Sequence, residues 1–191
     1  MSWIAEVRER LRTPAPSRIE GGEEREAAVL VPLYVDAGEL WVLLTRRSDD
    51  LRHHRSQVAF PGGKLEGRED AWEAALREAR EEVGLEPQAV LRLGELDQVE
   101  TPTGYRIVPC AAAVPLPTSL RPDEHEIAEV FSVPLTAIAN PNLMEQRTIV
   151  IDDFERDVTL LHVGRHRIWG VTASILMNLL KRLGYVGAEE E

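Results

Sequence analysis

The sequence predicts an α/β layered sandwich, in which helices cover the faces of a β-sheet. Two observations carry this prediction: extended apolar segments recur along the chain, and two amphipathic helices are interleaved with them. The length of 191 residues fits one domain with short extensions. With 43% hydrophobic and 29% charged residues, the chain can bury one substantial core.

An amphipathic helix and a β-hairpin are predicted at the start of the chain. Apolar residues at helical spacing mark the helix: Trp3, Ile4, Val7 and Leu11. The proline-containing segment that follows cannot continue it, so residues 1–26 are expected to form an N-terminal amphipathic arm and linker. A buried strand is then predicted over 27–35, followed by a turn at 36–38 and a returning strand over 40–45.

A short extended segment, a glycine turn and a second helix are predicted next. Residues 58–60 are expected to be extended, and Pro61, Gly62 and Gly63 are expected to force an irregular turn. A helix is predicted over about 70–83. This helix carries the strongest functional signal of the chain.

The remaining elements are strands and a closing helix. The further strand candidates are 90–99, 107–114, 129–133 and 148–151. A leucine-rich stripe at helical spacing predicts a core-facing helix, with Gly184 as its natural stop. The globular domain is therefore assigned to 27–184, and residues 185–191 are assigned to an acidic tail.

Composition excludes several classes of function. The 22 Lys and Arg residues against 33 Asp and Glu residues give a net charge of −11, which opposes a nucleic-acid or anionic-membrane surface as the main partner. The longest apolar stretch, 27–35, is far shorter than the roughly 20 residues of a membrane span. The lone Cys110 excludes an internal disulfide, and charge near the N-terminus argues against a signal peptide. We therefore expect a cytoplasmic protein.

The helix over 70–83 gathers acidic residues on one face. Glu78, Glu81 and Glu82 stand at i, i+3 and i+4, so they fall within an arc of roughly 100°, opposite an apolar face. Like charges at this spacing cost a few tenths of a kcal/mol per pair. Binding of Mg²⁺ or Mn²⁺ would relieve the repulsion, and the alternative is a solvated face on which Arg77 pairs with Glu81.

The surrounding pattern resembles the Nudix box. Gly63 is followed after five residues by Glu69, and after seven more by Arg77-Glu78-Ala79-Arg80-Glu81-Glu82-Val83-Gly84-Leu85. Only Ala79 departs from the family pattern, which prefers a larger aliphatic residue there. The resemblance implies a Nudix-type α/β/α sandwich with a mixed β-sheet. It also implies Mg²⁺- or Mn²⁺-dependent hydrolysis of a nucleoside diphosphate linked to another group.

The resemblance further implies roles for individual residues. It assigns metal binding to Glu78, Glu81 and Glu82. Catalytic roles fall to Glu81 or Glu82, which would orient the attacking water, and to Arg77, which would brace the glutamates. Since the general base lies outside the box in some relatives, Glu124 and Glu126 are candidates for that role or for an outer metal site. The alternative for these two residues is a polar surface loop.

The segment before the box resembles the coenzyme A pyrophosphatase signature. It runs Leu43-Leu44-Thr45-Arg46-Arg47-Ser48 and ends Ser56-Gln57-Val58-Ala59-Phe60-Pro61-Gly62-Gly63, with Ser56 where the subfamily pattern has Gly. Between Arg46 and Arg55, four arginines oppose two aspartates, a local +2 in a chain of −11. Guanidinium groups match phosphate geometry, and coenzyme A carries a 3′-phosphate besides its diphosphate. The expected substrate-binding residues are Arg46, Arg52 and Gln57.

The sequence thus predicts a coenzyme A diphosphatase that yields 4′-phosphopantetheine and adenosine 3′,5′-bisphosphate. Thioesters and the oxidised form of coenzyme A stay open as substrates, as does the choice between monomer and homodimer. One alternative is the same chemistry on ADP-ribose, NADH or dinucleoside polyphosphates. Another is a non-catalytic nucleotide-binding regulatory module. Tyr105 and Trp169 would either stack on substrate or pack in the core, and core packing is the favoured interpretation.

Overall fold

The computed structural model describes residues 2–20, 25–49, 56–116, 120–151 and 154–186. Within these ranges the helices are α1 Trp3–Arg12, α2 Ala71–Val83, α3 Leu135–Ile138 and α4 Gly170–Leu183. The strands are β1 Arg25–Asp36, β2 Glu39–Arg47, β3 Val58–Ala59, β4 Gly62–Lys64, β5 Leu91–Glu95, β6 Val99–Glu100, β7 Tyr105–Ala113, β8 Ile127–Pro134, β9 Met144–Ile151, β10 Phe154–Val163 and β11 His166–Ile168.

The main sheet is mixed and lies between two helical layers. Its path is β3-β2-β1-β7-β5, with β1 parallel to β7 and antiparallel to β2, while β4, β6 and β8 pair at its sides. Helix α2 packs on one face, where Ala74, Ala79 and Val83 are buried. Helices α1 and α4 pack on the other face, in a separate core cluster. The predicted α/β/α sandwich with a mixed sheet is confirmed.

Helix α2 has strong boundaries encoded in its sequence. The side chain of Asp70 accepts a hydrogen bond from the Glu73 N–H at 2.8 Å, and the Glu73 carboxylate accepts one from the Asp70 N–H at 2.9 Å. This capping box satisfies two amide groups at the helix start. Gly84 ends the helix in the left-handed conformation with φ 69°, so the predicted helix is confirmed.

The expected turn at Gly62 and Gly63 is wrong, because both residues belong to strand β4. Gly62 pairs with Val29 and Gly63 with Ala28 of β1, in antiparallel register. A Cβ on Gly62 would lie 2.4 Å from the Ala28 carbonyl oxygen. The glycines therefore permit a close backbone approach, and this approach places the start of the box inside the sheet.

Two further expectations differ from the structure. The single strand expected over 90–99 is interrupted between β5 and β6, and strands β10 and β11, which join β9 in a second sheet, were not predicted. Trp169 is 46% exposed, so its expected place in the core is wrong.

The N-terminal helix shares a core with the closing helix. Val7 and Leu11 of α1 are buried, and Leu176, Leu179 and Leu180 of α4 lie in the same cluster. The leucine stripe of α4 is thus covered within the chain. No helix among the described residues has the length and apolarity needed to cross a membrane.

Candidate functional site

Arg77 is the centre of an ion-pair network on the exposed face of α2. Its Nη1 donates to Glu78 Oε1 at 3.0 Å and to Glu81 Oε2 at 3.1 Å. Its Nε donates to Glu69 Oε1 at 2.8 Å, and its Nη2 donates to the Lys64 carbonyl at 3.1 Å. The hydrogen bond with Glu69 is the largest cause of a raised pKa of Arg77. One guanidinium therefore connects three carboxylates to strand β4.

Glu82 is a buried carboxylate on the same helix, with only 3% of the residue exposed. Its Oε2 accepts a hydrogen bond from the Gly62 N–H at 3.2 Å, and its Oε1 lies 3.4 Å from Arg47 Nη1. Burial raises the pKa of Glu82 to about 7, although the charge of Arg47 and the Gly62 N–H lower it. The ionised form is thus only partly compensated.

Glu78 is a partly buried carboxylate that pairs with Arg77. Burial is the largest cause of its raised pKa, and Glu81 and Glu126 raise it further, against the lowering effect of Arg77. A Cβ on Gly63 would lie 2.2 Å from Glu78 Oε1, so the carboxylate packs directly on the glycine backbone. Residue 63 must be glycine to leave this carboxylate in place.

A loop after the helix brings Glu126 to the cluster. The Asp123 N–H donates to the Glu82 carbonyl at 2.9 Å, and the Glu126 carbonyl accepts from the Ser48 N–H at 2.8 Å. Glu126 Oε2 lies 4.0 Å from Arg47 Nη2, and the charge of Glu126 raises the pKa of Glu82. Glu124 is exposed on the same loop, and its side chain makes no hydrogen bond or ion pair with the described part of the site.

Arg47 is a site residue that sequence reasoning missed. It bridges Glu82 and Glu126, and its buried Nε has no hydrogen-bond partner in the described structure. Strand alternation was the available signal: Arg47 follows the buried Leu43 and Thr45 at intervals of two, which places all three on the α2 face. Arg46 points to the opposite face by the same rule.

The structure shows the contacts of two of the three expected substrate-binding residues, Arg46 and Gln57. Arg46 Nη1 lies 3.1 Å from Asp49 Oδ1, and its Nε lies 3.6 Å from Glu129 Oε2. The carbonyl of Gln57 accepts a hydrogen bond from the Arg47 N–H at 2.9 Å. Arg52 lies outside the described residues. Arg46 is therefore already neutralised by carboxylates of the chain itself.

Ser56 stands where the coenzyme A pyrophosphatase pattern has glycine, and its backbone keeps a conformation that favours glycine. It has a positive φ of 56°, a conformation that glycine adopts more readily than serine does. Its hydroxyl donates to the Asp49 carboxylate, which also pairs with Arg46. The position therefore keeps the left-handed conformation, and a local hydrogen bond compensates for the side chain.

The donor set of the cluster fits a hard divalent cation. Five carboxylates face two arginines: Glu69, Glu78, Glu81, Glu82 and Glu126 against Arg47 and Arg77. No three acidic, histidine or cysteine side chains within the described ranges already form one ligand sphere. Mg²⁺ commonly takes only one or two carboxylates, together with waters and substrate phosphates, so a closed protein cage is not required. The net negative charge and the oxygen donors match that mode of binding.

Comparisons with known proteins give consistent results. The family model of the NUDIX domain matches residues 24–154. An uncharacterized Nudix hydrolase from Escherichia coli K12, NudL, is 37% identical over 161 residues, which cover 84% of this chain and 83% of NudL. A MutT/nudix family protein from Enterococcus faecalis is 18% identical with a TM-score of 0.55, covering 96% of this chain and 75% of that chain. The Nudix hydrolase RenU from M. smegmatis is 25% identical with a TM-score of 0.52, covering 61% of this chain and 74% of RenU.

Proposed function

The chain belongs to the Nudix family, and we propose that it is a divalent-metal-dependent hydrolase of the diphosphate bond of coenzyme A. The products are 4′-phosphopantetheine and adenosine 3′,5′-bisphosphate. The observation that carries the hydrolase proposal is the partly compensated carboxylate cluster on α2, in which Glu82 is 3% exposed and has a pKa raised to about 7. Clustered carboxylates lower the stability of the folded state, and they provide the oxygen ligands that a divalent cation binds.

Glu78, Glu81 and Glu82 are the residues that would hold Mg²⁺ or Mn²⁺. When bound, the metal neutralises phosphate charge and makes a bound water more acidic. Arg77 positions Glu78 and Glu81 through its paired hydrogen bonds. Arg47 positions Glu82 through one contact of 3.4 Å between its Nη1 and Glu82 Oε1. Glu81, the most exposed of the three glutamates, is the proposed orienter of the attacking water.

Glu126 is the proposed acceptor of the proton from the attacking water. It is electrostatically coupled to Glu78 and Glu82, whereas Glu124 has no such contact in the described structure. Hydrolysis adds the water oxygen to one phosphorus and leaves the bridging oxygen on the other phosphate. Glu124 is retained as the second candidate for this role or for an outer metal site.

Coenzyme A is proposed as the substrate because of the segment that precedes the box. Four arginines between Arg46 and Arg55 give this segment a local positive charge in an acidic chain. The same segment resembles the signature of coenzyme A pyrophosphatases, apart from Ser56. We assign substrate contacts to Arg46, Arg52 and Gln57. We also propose a cytoplasmic location, since the lone Cys110 is buried and unpaired.

Product analysis with each metal tests this proposal. Coenzyme A, ADP-ribose, NADH and diadenosine polyphosphates are incubated with the enzyme and Mg²⁺ or Mn²⁺, and Glu82→Gln protein purified in parallel controls for contaminating activity. We expect cleavage of coenzyme A to the two products named above. Preference for another diphosphate would overturn the assignment of coenzyme A as the substrate. If no diphosphate is cleaved with either metal, a nucleotide-binding module would be favoured instead.

A further inference from the structure

Two cationic side chains converge on one aromatic ring on the face of the sheet opposite the carboxylate cluster. Lys64 Nζ lies 5.3 Å from the centroid of the Tyr105 ring, and Arg25 Cζ lies 5.8 Å from it. Arg25 Nη1 is 3.5 Å from the phenol oxygen of Tyr105.

Sheet register holds the three side chains on one face. Arg25 stands beside Tyr105 in the parallel pairing of β1 with β7, and Lys64 stands opposite Ala27 in the antiparallel pairing of β1 with β4. Residues paired in register point to the same side of a sheet, and Arg25 and Ala27 are two residues apart. The backbone therefore presents Arg25, Lys64 and Tyr105 together.

These two cations lack the carboxylate partners that neighbouring arginines have. Among the described residues, neither Arg25 nor Lys64 makes an ion pair, although the chain carries a net charge of −11. Arg106, next to Tyr105 in sequence, pairs with Glu26 at 2.8 Å on the opposite face. Hydrogen bonds from Lys64 and Arg25 also lower the pKa of the Tyr105 phenol, as expected where positive charge is locally in excess.

The cationic cluster is continuous with the carboxylate cluster through strand β4. The Lys64 carbonyl accepts a hydrogen bond from Arg77, and Gly63, one residue earlier, packs against Glu78. Consecutive strand residues face opposite sides and are separated by about 3.3 Å along the strand. Strand β4 pairs only with β1 in the described structure, and its other edge receives Glu82 at the Gly62 N–H and Arg77 at the Lys64 carbonyl. The strand therefore connects the two clusters across the sheet.

We propose that Arg25, Lys64 and Tyr105 form a subsite for a phosphate monoester of the substrate, separate from the diphosphate that is cleaved. This inference rests on the proposed function, because coenzyme A carries such a group at its 3′ position. A guanidinium, an ammonium and a phenol together supply several donors to phosphate oxygens. Arg46 is a weaker candidate for this contact, since Asp49 and Glu129 already neutralise it.

Substrate discrimination tests the subsite. The kcat/KM ratio of coenzyme A to its 3′-dephospho form is compared in wild type, Arg25→Gln and Lys64→Gln. We expect wild type to prefer coenzyme A by roughly tenfold or more, and each variant to lose most of that preference through a higher KM for coenzyme A. Arg92→Gln is the matched control, because Arg92 lies 5.0 Å from the Trp72 ring in an equivalent cation–π contact elsewhere.

A binding measurement separates failure of the subsite from failure of the proposed function. Calorimetry of adenosine 3′,5′-bisphosphate against AMP, without added metal, measures recognition of the 3′-phosphate independently of hydrolysis. We expect tighter binding of the bisphosphate by wild type and by Arg92→Gln, and near-equal binding of the two ligands by Arg25→Gln. A preference retained in both Arg25→Gln and Lys64→Gln would overturn the subsite. If wild type binds the bisphosphate more tightly but does not cleave coenzyme A, the assignment of coenzyme A as the substrate fails and the phosphate subsite stands.

Discussion

Glu82 and Asp97 are acidic residues in two separate ion-pair networks, and their pKa values are shifted in opposite directions. Burial raises the pKa of both, but Asp97 accepts hydrogen bonds from the Ser17 N–H, Arg182 and Asn178, and these lower its pKa overall. Glu82 receives less compensation, and its pKa is raised to about 7. The negative charge of Asp97 is therefore compensated by its hydrogen-bond donors, whereas the negative charge of Glu82 is compensated only in part.

The difference fits a structural role for the Asp97 network and the proposed metal-binding role for the α2 network. Arg182 also donates to the carbonyls of Leu11 and Pro14 at 3.3 and 2.7 Å, so the Asp97 network ties the N-terminal segment to α4. The α2 network joins the helix to β2, β4 and the loop over 123–126, and it leaves the charge of Glu82 only partly compensated. A fold that gained only stability from its ion pairs would resemble the first arrangement. The second is what binding of a cation requires.

Glu82→Gln is expected to give the largest effect. Loss of one charged oxygen donor should lower kcat/KM by roughly a thousandfold, while the glutamine amide keeps the shape and accepts from the Gly62 N–H. Glu73→Gln on the same helix is the control, since glutamine also supports a capping box. Steady-state kinetics and circular dichroism measure both effects. Near-normal turnover by folded Glu82→Gln protein would contradict the functional reading of this network.

Arg182→Met should give the converse result. Removing a buried partner of Asp97 leaves a carboxylate uncompensated and frees the segment around Pro14, so the free energy of unfolding should fall by about 3–5 kcal/mol. Urea denaturation measures this loss. The folded fraction should retain kcat/KM within about twofold, because Arg182 lies in the other network. A specific loss of activity without loss of stability would contradict a structural role for the Asp97 network.

Ionisation of Glu82 should make the free energy of unfolding depend on pH. Its folded pKa of about 7 lies above the ordinary 4.5, so ionisation opposes folding as the pH rises through this window. In metal-free protein this contribution amounts to about 3 kcal/mol, absent below pH 4.5 and complete above pH 7. Asp97 acts below this window, since its lowered pKa gives stability that is lost only under stronger acid.

Urea denaturation in EDTA between pH 4.5 and 8 measures the slope, with Glu82→Gln as the comparison. Wild type should lose stability relative to the variant as the pH rises. Parallel curves for the two proteins would show that Glu82 is compensated like Asp97.

Two glycine substitutions should affect activity and stability separately, with smaller effects. Gly63→Ala would place a Cβ 2.2 Å from Glu78 Oε1 and displace that carboxylate, which should lower kcat/KM by roughly ten- to a hundredfold. Gly94→Ala would place a Cβ 3.3 Å from the Leu11 Cβ, so its effect should fall on stability. Kinetics and thermal melts of both variants test this division. Equal loss of activity in the two would contradict it.

Much of the fold was predictable because local signals and the tertiary structure agree. Helix α2 has a capping box at Asp70 and a left-handed Gly84, and both are readable from the sequence. The β1–β2 hairpin turns at Ala37 and Gly38, both with positive φ. Strand β4 was missed because glycine propensity favours a turn, whereas close packing against β1 decided the conformation.

The glutamates of the candidate site could be singled out from helical periodicity, but their electrostatic partners could not. Arg77 lies one turn from Glu81, a spacing that sequence reveals. Arg47 reaches Glu82 across 35 positions, and Glu126 reaches the cluster through a loop whose path depends on backbone hydrogen bonds. Charge compensation is a property of the tertiary arrangement, so the contrast between Glu82 and Asp97 required the structure.

The carboxylates of α2 are proposed to hold a divalent cation, and Mn²⁺ titration of metal-free protein tests this role most directly. Wild type, Glu82→Gln and Asp97→Asn are titrated at pH 7.5, with free Mn²⁺ followed by electron paramagnetic resonance. We predict saturable binding by wild type and by folded Asp97→Asn protein, and roughly tenfold or greater weakening by Glu82→Gln. Equal Mn²⁺ affinity of wild type and Glu82→Gln would contradict this role.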